Sequence, residues 1–110
     1  VHDAATGEVL SAEPFVFTNS ISHVDLESGR PALVEEKIPR QGQTVRDICP
    51  SAPGGKDWQP GAWSPRTGWL YFAHNNLCMD FEATAANYIA GTPFVGAKVH
   101  QKAGPGGHRG

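Results

Sequence analysis

A five-residue turn signature recurs three times along the chain, at residues 3–7, 25–29 and 64–68. Each copy begins with Asp or Ser and ends with Ser or Thr followed by Gly. The first side chain can accept hydrogen bonds from the backbone of its own turn, and the Gly supplies the positive φ that reverses the chain. Apolar residues resume soon after each copy. The pattern predicts β-hairpins and therefore an all-β, antiparallel chain.

The strands predicted with most support are residues 61–64 and 69–73, which are rich in aromatic residues and flank the third turn. Weaker strands are predicted at 15–18 and 21–25. Residues 83–90 leave a short helix and an irregular coil as alternatives, with Gly91 placed to cap a helix. Residues 103–110 contain nothing to bury and are predicted to be a loose tail or a truncated loop.

Composition limits the size of the core. The 110 residues form one piece, 1–110, of single-domain length, with 13 Gly and 9 Pro and few large aliphatic side chains. The net charge is −2 with scattered basic residues, which excludes a nucleic-acid footprint. No apolar run reaches the roughly 18 residues of a membrane span, so no membrane partner is expected. Because the chain begins with Val1, we expect a processed product or an excised piece.

The two cysteines, Cys49 and Cys78, leave two interpretations open. They are either buried thiols in a reducing compartment or a disulfide that stabilises a thin core by roughly 3–4 kcal/mol in an oxidising one. A zinc site with His74 is disfavoured, because the chain has no CxxC or HxxxH pair. No nucleophile elbow, P-loop or dinucleotide fingerprint is present either. General motifs therefore predict no catalytic and no metal-binding residue in this chain.

Two blocks of sequence are more distinctive than any of these motifs. The first reads R-D-I-C-P-S-A at 46–52 and G-G-K-D-W-Q-P at 54–60; the second reads N-N-L-C-M-D-F-E at 75–82 and continues as Y-I-A-G-T-P-F-V-G-A at 88–97. Together they resemble the methanol and ethanol dehydrogenases that depend on pyrroloquinoline quinone (PQQ), and the lanthanide-dependent methanol dehydrogenase type most closely. The chain resembles a fragment of such an enzyme.

This resemblance implies a fold, a cofactor and a location. The family fold is an eight-bladed β-propeller of antiparallel four-stranded blades, of which this chain is about two blades' worth. The family is periplasmic, binds PQQ over Ca²⁺ or a lanthanide, oxidises a primary alcohol such as methanol or ethanol to the aldehyde, and passes electrons to a cytochrome c. The expected partners are the remainder of the propeller and that cytochrome, and exposed blade edges add an edge-paired homo-oligomer.

Few of the family's functional residues carry over to this chain. The catalytic Asp, the metal ligands and the arginine beside the quinone are expected in segments before Val1, so the isolated chain is predicted to be inactive. Cys49 and Cys78 look like the family's structural disulfide. Asp57, flanked by Lys56 and Trp58, resembles the loop that brings a polar side chain to PQQ, although an ordinary exposed turn would have the same composition. The alternative function is a stand-alone, disulfide-stapled binding or structural module without redox activity.

Overall fold

The computed structural model describes all 110 residues, from Val1 to Gly110. Its regular structure is seven β-strands and one turn of 3-10 helix. The strands are β1 Ile21–Val24, β2 Pro31–Leu33, β3 Thr44–Ile48, β4 Ala62–Ser64, β5 Trp69–Tyr71, β6 Leu77–Ala83 and β7 Ala97–Ala103, and the 3-10 turn is Glu35–Lys37. All three sheets are antiparallel, in the orders β1-β2, β3-β6-β7 and β4-β5. The predicted all-β, antiparallel class is confirmed, and the widest sheet within the chain has three strands rather than a blade's four.

The three turns of the repeated signature all form as predicted. In each, the amide of the closing Gly donates to the carbonyl of the opening residue at 2.8–2.9 Å, and the Gly has a φ between 70° and 78°. The first turn is flanked by a single bridge, the second joins β1 to β2 and the third joins β4 to β5. Asp3 accepts the amides of Thr6 and Ala5, and Asp25 accepts that of Ser28, so these donors hold the pKa of both carboxyls below the usual range.

The largest sheet, β3-β6-β7, was not among the predicted strands. β6 and β7 pair without interruption from Leu77 opposite Ala103 to Ala83 opposite Ala97. Residues 84–96 connect them as a loop that is closed by the Thr84 amide donating to the Gly96 carbonyl at 2.8 Å. Of the two alternatives for 83–90, the structure has the irregular coil: Ala83 ends β6 and no helix follows. The loop 84–96 has to return the chain to Ala97, which pairs with Ala83. The strand predicted at 15–18 does not form.

The core of the chain is small and is built around a disulfide. The buried apolar residues are Ile48, Cys49 and Cys78, and the two cysteines are bonded to each other with their Cα atoms 4.4 Å apart. The bond joins the residue after β3 to β6, which confirms the disulfide interpretation. The Cα radius of gyration is 16.8 Å, whereas about 13 Å is usual for a self-contained domain of this length. The chain therefore buries little apolar surface on its own.

Of the two alternatives predicted for 103–110, a loose tail and a truncated loop, the hydrogen bonds of this segment disfavour the loose tail. Ala103 ends β7, Gly104 is buried, and the carbonyls of Pro105, His108 and Arg109 all accept hydrogen bonds from Asn76. The segment contains no large apolar side chain, but buried backbone carbonyls need hydrogen-bond donors. A buried amide side chain supplies them.

Candidate functional site

The segment between β3 and β4 carries the three predicted cofactor residues, and its first half is firmly attached to the sheet. The Ser51 amide donates to the Leu77 carbonyl at 2.8 Å, and the Asn75 amide donates to the Gly55 carbonyl at 2.8 Å. Gly55 is buried, and a Cβ there would lie 2.5 Å from a methyl carbon of Val16. The backbone at 54–55 passes close to residues 15–16 before it emerges into solvent, so a side chain at position 55 would force Val16 to move.

The predicted residues Lys56, Asp57 and Trp58 lie together on the exposed turn that follows. The Lys56 ammonium donates to the carbonyls of Asp57 and Gln59 at 3.0 and 2.7 Å. The Asp57 Oδ1 accepts the Trp58 amide at 2.9 Å, and the Trp58 side chain is 83% exposed. One ammonium proton, one carboxylate oxygen and a whole indole face remain available. We call residues 54–58 the open loop. Contact of these side chains with a cofactor stays a prediction.

An ionic cluster that the sequence did not predict fixes the end of β3. The pairing of β3 with β6 contains a bulge at Arg46 and Asp47, where Asp47 has a φ of 55°. The Asp80 carboxylate accepts the Asp47 amide at 2.9 Å, and the Lys102 ammonium donates to it at 2.8 Å. Lys102 also pairs with the Asp47 carboxylate. A bulge of this kind redirects the strand that carries it, here immediately before Cys49.

The opposite charges in this cluster shift the pKa values of both Asp80 and Lys102. The hydrogen bond from Lys102, and then that from the Asp47 amide, hold the pKa of Asp80 below its usual range. The carboxylates of Asp47 and Asp80 raise the pKa of Lys102 above its usual range. The side chain of Asp80 is only 17% exposed, so its charge is well compensated where it lies. No local sequence signal links Asp80 to Lys102.

Asn76 is a second residue that sequence reasoning missed. It is 8% exposed, and its side-chain amide donates to the carbonyls of Pro105 and His108, each at 3.0 Å. Its backbone amide donates to Arg109, and its carbonyl accepts the Gly104 amide, both at 2.8 Å. The available signal was the glycine-rich run at 104–107, which leaves room for a close approach. A Cβ on Gly104 would collide with the Asn76 side chain.

A metal centre would need a cluster of side chains that bind metal ions. No three His, Cys, Asp or Glu side chains are grouped in a way that could hold an ion. Cys78 and Cys49, the two thiols weighed as zinc ligands beside His74, are bonded to each other in the disulfide. No helix has the length and apolar character needed to cross a membrane.

The relatives of the chain were found by sequence and by structure, and no protein-family model matches it. The lanthanide-dependent methanol dehydrogenase of Methylacidiphilum fumariolicum is 46% identical over 99 residues, which is 90% of this chain and 16% of that protein. The same enzyme of Methylorubrum extorquens is 44% identical over 98% of this chain and 20% of that protein. A solved europium-containing methanol dehydrogenase superposes with a TM-score of 0.90 at 43% identity, over 96% of this chain and 18% of that one. The chain is homologous to a part of the lanthanide-dependent methanol dehydrogenases.

The methanol dehydrogenase resemblance carried by residues 46–60 and 75–97 is thereby confirmed, and the structural match supports the predicted propeller fold. A quinoprotein ethanol dehydrogenase of Pseudomonas aeruginosa is more distant, at 33% identity over 87% of this chain. The chain spans about a fifth or less of the length of these curated relatives. It therefore corresponds to one part of a methanol dehydrogenase propeller.

Proposed function

We propose that this chain is a propeller segment of a periplasmic, PQQ-dependent alcohol dehydrogenase that oxidises methanol or a similar primary alcohol to the aldehyde. The observation that carries the proposal is the match to a europium-containing methanol dehydrogenase along nearly the whole chain at 43% identity. The names of the relatives support its finer points: two are lanthanide-dependent, and another from Methylorubrum extorquens is a cytochrome c methanol dehydrogenase. A lanthanide is accordingly favoured over Ca²⁺, and a cytochrome c is the proposed electron acceptor.

The open loop has the chemical groups that a PQQ site needs on one of its walls. PQQ is a flat, anionic quinone, for which an ammonium group and an exposed aromatic face are suitable partners. Lys56 retains a free donor and Trp58 presents its indole, whereas the Asp57 carboxylate is acceptable beside an anion only with a cation close by. Lys56, adjacent in sequence, would supply that cation; its ammonium donates to the Asp57 carbonyl rather than to the carboxylate. We therefore assign Asp57 to the rim of the cofactor pocket, with Lys56 and Trp58 as its neighbours.

Bound PQQ, with its metal, supplies the redox chemistry by accepting a hydride from the alcohol. The contribution of this chain is to bind and orient. Asp57 would hold a hydrogen bond at the edge of the quinone, and Lys56 would compensate the charge that the carboxylate adds. The attachment of Gly55 to Asn75 keeps this part of the wall in one place, which favours catalysis because misplaced groups lose rate steeply.

The proposed role of Asp57 is tested in the complete enzyme that contains this segment. Asp57→Ala should reduce PQQ affinity or kcat by roughly tenfold, equivalent to about 1.4 kcal/mol, while circular dichroism and the thermal midpoint stay unchanged. Asp57→Asn, which keeps the hydrogen-bonding capacity, should lose less. Glu27→Ala in the exposed 25–29 turn is the control. If Asp57→Ala retains PQQ and turns over normally, Asp57 is only a turn residue.

The alternative of a stand-alone, disulfide-stapled module is disfavoured by the three buried apolar residues and the extended shape. The segment expressed alone, with PQQ and La³⁺ or Ca²⁺ added, should neither oxidise methanol nor acquire quinone absorbance. Light scattering should find it self-associated, because its strand edges and apolar faces are not covered. A stable monomer that still binds no PQQ would favour the module.

A further inference from the structure

We propose that Asn76 is a positioning residue for the open loop, holding Asp57 in place from the opposite side of the 74–77 segment. The predicted effect of Asn76 on PQQ affinity rests on the proposed function, whereas its predicted effect on the position of the open loop does not. Asn76 does not reach the open loop directly. It acts through the backbone of its neighbours, which is hydrogen-bonded to the loop.

The first step is that Asn76 fixes residues 74–77 against the last residues of the chain. Four hydrogen bonds of 2.8–3.0 Å run between Asn76 and the carbonyls or amide of the 104–109 segment, two from its side chain and two from its backbone. A buried amide loses much when its partners are removed, since the desolvation cost remains. The absence of a Cβ on Gly104 is what permits this approach.

The second step is that the other side of the same segment holds the open loop. The Asn75 amide donates to the Gly55 carbonyl, and the Leu77 carbonyl accepts the Ser51 amide, both at 2.8 Å. Cys78, the next residue, is bonded to Cys49. Residues 75–78 therefore bind residues 49–55 at three points, one of which, Gly55, lies in the open loop, while Asn76 binds the 104–109 segment.

The third step is the short distance along the chain from these attachments to the predicted site. Gly55 immediately precedes Lys56 and Asp57, and beyond Gly55 both side chains bond only within residues 56–59. The last fixed point before Asp57 is thus the bond from Asn75 to Gly55. No hydrogen bond from residues 56 or 57 to another part of the chain lies beyond Gly55, so a shift of Asn75 would be transmitted to Asp57.

The test uses the complete enzyme, with Asn76→Ala as the main variant and Asn87→Ala in the exposed 84–96 loop as the matched control. Asn76→Ala removes both side-chain bonds and leaves the backbone bonds available. Hydrogen exchange at the Asn75 amide should accelerate by roughly tenfold or more in the apo-enzyme, and PQQ affinity should fall by about tenfold. Asn87→Ala should change neither.

A double-mutant cycle separates positioning from a general loss of stability. If Asn76 acts through Asp57, the pair Asn76→Ala and Asp57→Ala should lose about as much PQQ affinity as Asp57→Ala alone, whereas independent effects would multiply to about a hundredfold. Multiplying effects, or an unchanged Asn75 exchange rate, would overturn the proposal. If Asp57→Ala itself keeps PQQ, the proposed cofactor role of Asp57 is wrong. The exchange rate of the Asn75 amide in Asn76→Ala then still tests whether Asn76 holds the open loop.

A second variant covers the case in which Asn76→Ala does not fold. Gly107 has a φ of 76° and open space around it, so Gly107→Ala strains the backbone of the 104–109 segment without touching Asn76. It should accelerate Asn75 exchange in the same direction and by a smaller factor. No change in exchange at Asn75, with faster exchange at Gly104, would show that the segment moves without affecting the loop.

Discussion

At the scale of single residues, Asp80 joins three other residues through one carboxylate. Its carboxylate accepts the Asp47 amide within the β3 bulge and the Lys102 ammonium from β7, and it lies 3.7 Å from Arg46. Removing one partner of such a group leaves the others without compensation. We therefore expect the cluster to stabilise a bulge in which Asp47, a residue with a side chain, adopts a positive φ.

The cluster predicts a specific pH dependence. Because the folded pKa of Asp80 is lowered, its stabilisation is complete above the unfolded value of about 3.9 and is lost as the pH falls through the folded value. Because the folded pKa of Lys102 is raised, its stabilisation is complete below about 10.4 and is lost as the pH rises through the folded value. Asp80→Asn should remove most of the acid-side dependence of hydrogen-exchange protection in β3 and β6.

The matched control for Asp80→Asn is Glu82→Gln on the same strand. Glu82 pairs with Lys98 at 3.1 Å, but the two side chains are 41% and 74% exposed, and exposed ion pairs contribute little. Protection in β3 and β6 should therefore be nearly unchanged in Glu82→Gln between pH 3 and 7. Equal losses in the two variants would mean that surface charge in general, rather than the cluster, is responsible.

At the scale of elements, the repeated turn is the clearest case in which sequence alone predicts structure. Gly68 has a φ of 70° with nothing within 4 Å of the position a Cβ would take. Gly68→Ala therefore tests conformation alone and should destabilise the β4-β5 hairpin by about 1 kcal/mol. Gly68→Asn, which tolerates this φ better, should lose less. Hydrogen exchange in Trp69–Tyr71 measures both; equal effects would point to a lost contact instead of backbone strain.

The elements that could not be predicted are those held by distant partners. Each hairpin forms from residues that are close in sequence, so the turn motif and its flanking residues are enough to predict it. β6 and β7 are brought together across a 13-residue loop, and β3 reaches β6 across about 30 residues. The Lys102–Asp80 pair and the Asn76 bonds depend on that long-range register. The open loop was located through its resemblance to a family, and the contacts that anchor it only through the structure.

At the scale of the whole molecule, the distribution of apolar surface matches a segment of a larger body. The β4-β5 hairpin leaves Trp63, Trp69 and Leu70 each more than 60% exposed. Exposed apolar groups on this scale usually mark contact surfaces. In the proposed enzyme they would be covered by the remaining four-fifths of the chain, so that stability arises mostly from packing against neighbouring propeller strands.

The disulfide is the covalent cross-link at the centre of the segment's small core. It closes a loop between residues 29 positions apart, inside a core that holds one other buried apolar residue, Ile48. Cross-linking a loop of this length stabilises the folded state by roughly 3–4 kcal/mol, chiefly by restricting the unfolded chain. Replacing both Cys49 and Cys78 by Ala should therefore reduce hydrogen-exchange protection in β3 and β6 of the complete enzyme by about a hundredfold or more.

Two further measurements make this prediction specific. Alkylation of the unreduced, denatured segment followed by mass spectrometry should label neither Cys49 nor Cys78, because the structure leaves no free thiol. Protection in the β4-β5 hairpin, which lies within the closed loop but outside the β3-β6-β7 sheet, should fall less than protection in β3 and β6. If all three sheets lose protection equally, the disulfide acts on the unfolding of the whole enzyme; if none does, packing by the rest of the propeller already fixes β3 against β6, and the bond contributes little.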